Sequence, residues 1–203
     1  IVMRTKTLLF SILALLGIAP QVVSAQSGSF GTAVVLSGNE LIVGEPNTSF
    51  REGSIYVYEH TEAGWSETQR LTAPEAAPED GFGSVLARDG NTLLAAQKNG
   101  PVHIYEKVDN EWAHAGTIVG NGTEGLDPGC QQYGYCGTDF GLTLALQGDW
   151  LLIGNPGEIP QRSRGEEEMP EAPEGVVYVY HRSSDGSWGE HSVIKSSATM
   201  SGD

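Results

Sequence analysis

The sequence predicts an all-β chain built from three copies of one four-stranded antiparallel unit. Three observations predict it. A Phe-Gly pair recurs at Phe30-Gly31, Phe82-Gly83 and Phe140-Gly141, the phenylalanines standing 52 and 58 residues apart (30 to 82, 82 to 140). Each pair opens a stretch that aligns with the others without a gap: FGTAVVLSGNELIVGEP, FGSVLARDGNTLLAAQK and FGLTLALQGDWLLIGNP. Beyond residue 25, no stretch shows the helical spacing of apolar residues, whereas alternation with a period of two is frequent.

The elements follow in order. Eight residues after each Phe stands Gly38, Gly90 or Gly148, followed by Asn39, Asn91 or Asp149. A glycine and an Asx residue between apolar runs accept the positive φ of a primed turn, so strands A and B form a tight hairpin. Strand C is GSIYVYEH at 53–60, PVHIYEKV at 101–108 and GVVYVYHR at 175–182. Alternation puts Tyr56 and Tyr58 on one face and Ile55 and Val57 on the other; Tyr178 and Tyr180 stand likewise opposite Val177 and Val179. His103 takes the strand position of Tyr56 and Tyr178, which marks it as structural. Trp65, Trp112 or Trp188 then precedes a polar strand D: ETQRLTA, HAGTIVG or EHSVIKS. The units span about 29–73, 82–120 and 140–197. One such sheet cannot bury both of its faces alone, so each must lean on the next, as a radial array allows.

The Phe-Gly opening, the Gly-x-Pro closure at Gly44-Glu45-Pro46 and Gly154-Asn155-Pro156, and the Tyr-x-Tyr strand resemble FG-GAP repeats, the blades of integrin-α-like β-propellers. The resemblance covers about residues 29–203, nearly all of the segment 26–203, and implies a partial β-propeller of three four-stranded antiparallel blades in a cell-adhesion type of protein. Two departures stand out. The middle unit has Ala96-Gln97-Lys98 in place of Gly-x-Pro. Many blades of the family carry a calcium loop between strands A and B, but here a tight turn occupies that place; calcium takes about six or more oxygen ligands from a longer loop, so no metal or other cofactor is expected. Three blades leave a wedge with two flat sides prone to associate, and the resemblance implies further blades beyond Asp203.

Residues 1–25 read as a signal peptide. Arg4 and Lys6 precede an apolar run from Leu8 to Ile18, and Val23-Ser24-Ala25 ends it in a small-x-small triplet. A membrane anchor is the competing reading, but the run is short and Pro20 follows it. Secretion or display at the cell surface follows, and the mature segment has no second run of membrane length. The signal holds two of the 11 basic residues and none of the 26 acidic ones, so its loss moves the formal charge from −15 to −17. That field repels nucleic acid and anionic lipid and favours cationic partners. Cys130 and Cys136, in GCQQYGYCG, read as a disulfide closing a small loop in an oxidising compartment; zinc, the other reading, lacks paired histidines nearby.

In an up-and-down unit the A–B and C–D turns lie at one end, and the B–C and D–A connections at the other. The A–B turns are uniform, whereas the B–C loops (47–53, 98–101, 157–174) and D–A loops (74–81, 120–139) vary. Variable loops on a constant scaffold are where binding resides, so a protein or glycan ligand is expected at the B–C/D–A face. Tyr133 and Tyr135 offer anchors there, and Glu166, Glu167 and Glu168 a dock for a basic partner. Each has a plainer reading, rim packing for the tyrosines and a solvated acidic loop for the glutamates. Asn47 and Asn121 begin Asn-x-Ser/Thr sequons at the same end and are possible glycosylation sites.

No nucleophile elbow, phosphate loop or nucleotide fingerprint occurs, and the five histidines are scattered. The expectation is therefore an exported, non-catalytic propeller module of an adhesion or recognition protein, not an enzyme. The alternative is a fragment of a secreted polysaccharide-active enzyme or a lectin, since a fold does not fix a function.

Overall fold

The computed structural model describes residues 29–46, 51–78, 80–97, 100–120, 140–156 and 175–195. They form twelve strands in three four-stranded antiparallel sheets, with no helix among the described residues. The first sheet holds β1 (Ala33–Ser37), β2 (Glu40–Glu45), β3 (Ser54–Thr61) and β4 (Gly64–Leu71). The second holds β5 (Val85–Asp89), β6 (Thr92–Ala96), β7 (Val102–Val108) and β8 (Glu111–Ile118). The third holds β9 (Thr143–Gln147), β10 (Trp150–Asn155), β11 (Val176–Arg182) and β12 (Trp188–Lys195). In each sheet the spatial order is the chain order.

The repeat seen in the sequence recurs in the turns, hydrogen bonds and ring contacts of each sheet. The first hairpin of every sheet turns on a glycine of positive φ, Gly38 (60°), Gly90 (54°) or Gly148 (54°), a conformation that costs a residue with a Cβ. Gly31, Gly83 and Gly141 each donate their N–H to a residue at the end of the second strand, to the carbonyls of Gly44, Ala96 and Gly154 at 3.0, 2.9 and 3.1 Å. The phenylalanine before each glycine meets an aromatic ring of the third strand edge-on: Phe30 with Tyr56, Phe82 with His103, Phe140 with Tyr178, at 5.3, 5.5 and 5.4 Å between centroids. His103 thus stands where the other sheets have tyrosine. Its strand partner Ala95 matches Val43, opposite Tyr56, and Ile153, opposite Tyr178.

Two details depart from the sequence reading. Trp65, Trp112 and Trp188 lie within the fourth strands rather than ahead of them, paired with His60, Lys107 and Arg182. Every third–fourth strand pair also carries a register shift at one place, between Val57/Tyr58, Ile104/Tyr105 and Val179/Tyr180. Such a bulge adds local twist.

The sheets pack in one sense. Ile42, Ile55, Val57 and Leu71 of the first sheet meet Leu93, Ala95, Tyr105 and Trp112 of the second. On its other face the second sheet presents Leu94, Ala96, Val102, Ile104 and Ile118 to Leu151, Ile153 and Tyr180 of the third. An aliphatic face therefore always meets the aromatic face of the following sheet. The first strands β1, β5 and β9 lie next to one another, and the outer strands β4 and β8 also approach. Ile42, Ile55, Leu93, Leu94, Leu151 and Ile153 are fully buried, each contributing about 1.5–3 kcal/mol by leaving water.

Candidate interaction face

The antiparallel order puts the ends of β2 and β4 and the starts of β1 and β3 at one end of each sheet, as the sequence pattern predicts for the B–C and D–A connections. A buried carboxylate fixes that end between the first two sheets. Asp80 Oδ1 accepts the N–H groups of Gly53 (2.8 Å) and Phe82 (3.0 Å), and Oδ2 accepts that of Ala77 (3.2 Å). One side chain thereby ties the D–A connection to the B–C connection and positions the Phe82-Gly83 turn.

Beside it, a cleft of about 210 Å³ is lined by Glu45, Arg51, Glu52, Tyr56, Arg70 and Thr72. The Tyr56 hydroxyl donates to Glu45 Oε2 at 2.5 Å, and burial followed by the Glu45 hydrogen bond pushes that phenol up to about 12. The Arg70 guanidinium lies 4.4 Å from the Tyr56 ring centroid and is held by Glu67 at 3.0 Å. One ring face is thus covered by a cation, so a sugar ring cannot stack on that face of Tyr56 until Arg70 moves. The cleft offers carboxylates and guanidinium groups to a polar ligand.

The other end is held by ions. Glu40, almost fully buried, accepts from Arg88 Nη1 (2.7 Å), Lys107 Nζ and Trp112 Nε1 (3.1 Å), linking β2 to three strands of the next sheet. At the second junction Arg182 Nη2 donates to Glu106 Oε1 at 2.7 Å, and its guanidinium lies 5.5 Å from the Trp188 ring centroid. Lys107 and Arg182 occupy the same strand position, so each sheet reaches back to an acid on the one before it.

Neither Glu40 nor Asp80 stands out in the sequence as a junction residue, because the partners that each holds on the other sheet lie 27 to 72 residues away. The histidines, scattered in sequence, meet across strands: His103 and His114 have ring centroids 5.6 Å apart, and His181 and His191 both lie against Trp150. Among the described residues no group of three or more His, Cys, Asp or Glu side chains is placed to hold a metal ion. Cys130, Cys136, Tyr133, Tyr135, Glu166, Glu167, Glu168, Asn47, Asn121 and the segment 1–25 lie outside the described residues. Comparison with family models and with curated protein sequences gives no match.

Proposed function

We propose that the chain is an exported, non-catalytic interaction module whose three sheets are successive blades of an FG-GAP-like β-propeller, part of a cell-surface or extracellular recognition protein. The observation that carries this reading is the contrast between the two ends of the sheets. One end repeats the same two-residue turn three times. The other bears connections of different length and the charged cleft at Glu45, Arg51 and Arg70. A constant scaffold with one variable end suits a binding surface. The propeller itself is supported by the single sense of packing and by the neighbouring first strands.

The ligand is a protein or glycan bound at the variable end. Binding of the secreted chain to a glycan array and to intact cells tests this, with Arg51→Glu/Arg70→Glu as the control. Saturable binding lost in the control supports the proposal. Release of sugar products from a polysaccharide would replace it with the enzyme reading, and absence of saturable binding to either surface would remove it.

A further inference from the structure

At both junctions a Phe-Gly turn fills the same recess in the preceding sheet. Gly83 lies against Gly44 and Ile55 of the first sheet, where an added Cβ would stand 3.0 Å from Ile55 Cγ1. Gly141 lies against Ala96 and Val102 of the second, where its Cβ would stand 3.1 Å from Val102 Cγ2. By strand register the third member of this series is Gly154 with Val177. There the recess is a hollow of about 340 Å³ lined by Gly154, Asn155, Pro156, Gly175, Val177 and Ile194.

Exposure follows the same logic. Leu71, Ile118 and Ile194 hold one register position, opposite Ile55, Val102 and Val177, yet their exposures are 6%, 9% and 56%. Among the described residues, the aliphatic face of the third sheet lacks the cover that its counterparts have. The first sheet shows the converse. Phe82 and Phe140 are 0% and 2% exposed in their recesses, but Phe30 is 53% exposed, and Val34, Leu36 and Trp65 of the first sheet are exposed as well.

We infer that the recess at Gly154, Val177 and Ile194 takes the Phe30-Gly31 turn of a second copy of this chain, joining molecules head to tail. The chain already makes this contact twice within itself, and it displays one unused half of it on each outer sheet. The two halves differ, so the contact is heterologous: it links copies into a closed ring or an open row rather than a pair of like faces. Large exposed apolar faces of this kind are unusual on a protein that stays monomeric. Each copy carries a net charge of −15, so the copies repel and added salt promotes their union. The inference rests on packing alone and stands or falls separately from the proposed adhesive role.

Sedimentation velocity of the full chain over a range of concentration and salt tests it, with Phe30→Glu and Ile194→Glu as variants. Both side chains are more than half exposed within one copy, so far-UV circular dichroism stays at the parent values, as does the melting temperature at dilutions where the parent is dissociated. The parent chain associates, more tightly at higher salt. Each variant alone weakens association by roughly tenfold or more, as charging a central apolar anchor does. An equimolar mixture forms a heterodimer and nothing larger, because one intact recess and one intact turn remain. A parent that is monomeric throughout, an assembly that salt dissolves, or a mixture that fails to associate overturns the inference.

Discussion

Gly44 and Gly83 approach so closely that a Cβ on Gly44 would lie 2.1 Å from the Gly83 carbonyl oxygen, nearer than two such atoms can come. The contact is backbone on backbone, with no flexible side chain to yield. Gly44→Ala therefore parts the first two sheets. We expect a loss of about 2 kcal/mol or more, in the range of overpacking in a dense core. Ala96 holds the matching position at the second junction and already carries a Cβ, so Ala96→Gly brings no such change. Urea unfolding of the two variants measures the contrast.

Trp65 and Trp112 separate position from environment. They share one register position, yet Trp65 is 47% exposed and Trp112 is 3% exposed, packed on the first sheet with its indole N–H donating to Glu40. Trp112→Ala costs about 3–5 kcal/mol, whereas Trp65→Ala costs well under half of that. Equal losses in chemical denaturation would mean that the first sheet does not cover Trp112.

Removing the charge of Glu40 leaves Arg88 and Lys107, side by side on the second sheet, without their carboxylate at a nearly dry junction. Glu40→Gln is expected to destabilise the chain by roughly 3 kcal/mol, the scale for breaking a buried ion pair from one side. Since replacing all partners together is far less costly, the triple variant Glu40→Leu/Arg88→Leu/Lys107→Met recovers most of the loss. A single variant as stable as the parent in thermal melts would show that the network contributes nothing to joining the sheets.

These cases mark what the sequence reveals and what it hides. The strands, the hairpin glycines and the tyrosine-like place of His103 follow from spacing and alternation, which are local signals. The match of Phe30, Phe82 and Phe140 follows too, because a repeat compares the chain with itself. The roles of Glu40 and Asp80 do not, since each depends on partners brought in from another sheet, and a single acid beside a turn reads as solvated. The three bulges leave no mark, as one extra residue on a polar strand does not disturb its alternation. Trp65 and Trp112 look alike in sequence; only the stacking order distinguishes them. Of the candidate interaction face, the existence of a variable end is legible, but the cleft at Tyr56 and Arg70 is not, because its lining comes from the ends of different strands.

His103 predicts a pH dependence of known sign. Burial, and then the neighbouring His114, pulls its imidazole down to about 4. The unfolded chain takes up a proton at about 6.5, so the native state binds fewer protons between these values. Stability from this site is whole above about pH 6.5 and declines as the pH falls towards 4, by roughly 3 kcal/mol at most. His103→Tyr, which restores the residue of the other two sheets, removes this part of the decline. Unfolding free energies of parent and variant between pH 4 and 7 check it, and parallel curves would show that His103 is not buried neutral.

The central claim is that both junctions are built alike, with the glycine of each Phe-Gly turn seated on the aliphatic face of the sheet before it. Nuclear Overhauser contacts on methyl-labelled protein test this most directly. Cross-peaks are expected from Gly83 to the Ile55 methyls and from Gly141 to the Val102 methyls in the same molecule. Cross-peaks at one junction alone, or from either glycine to the aromatic face of the preceding sheet, would contradict it.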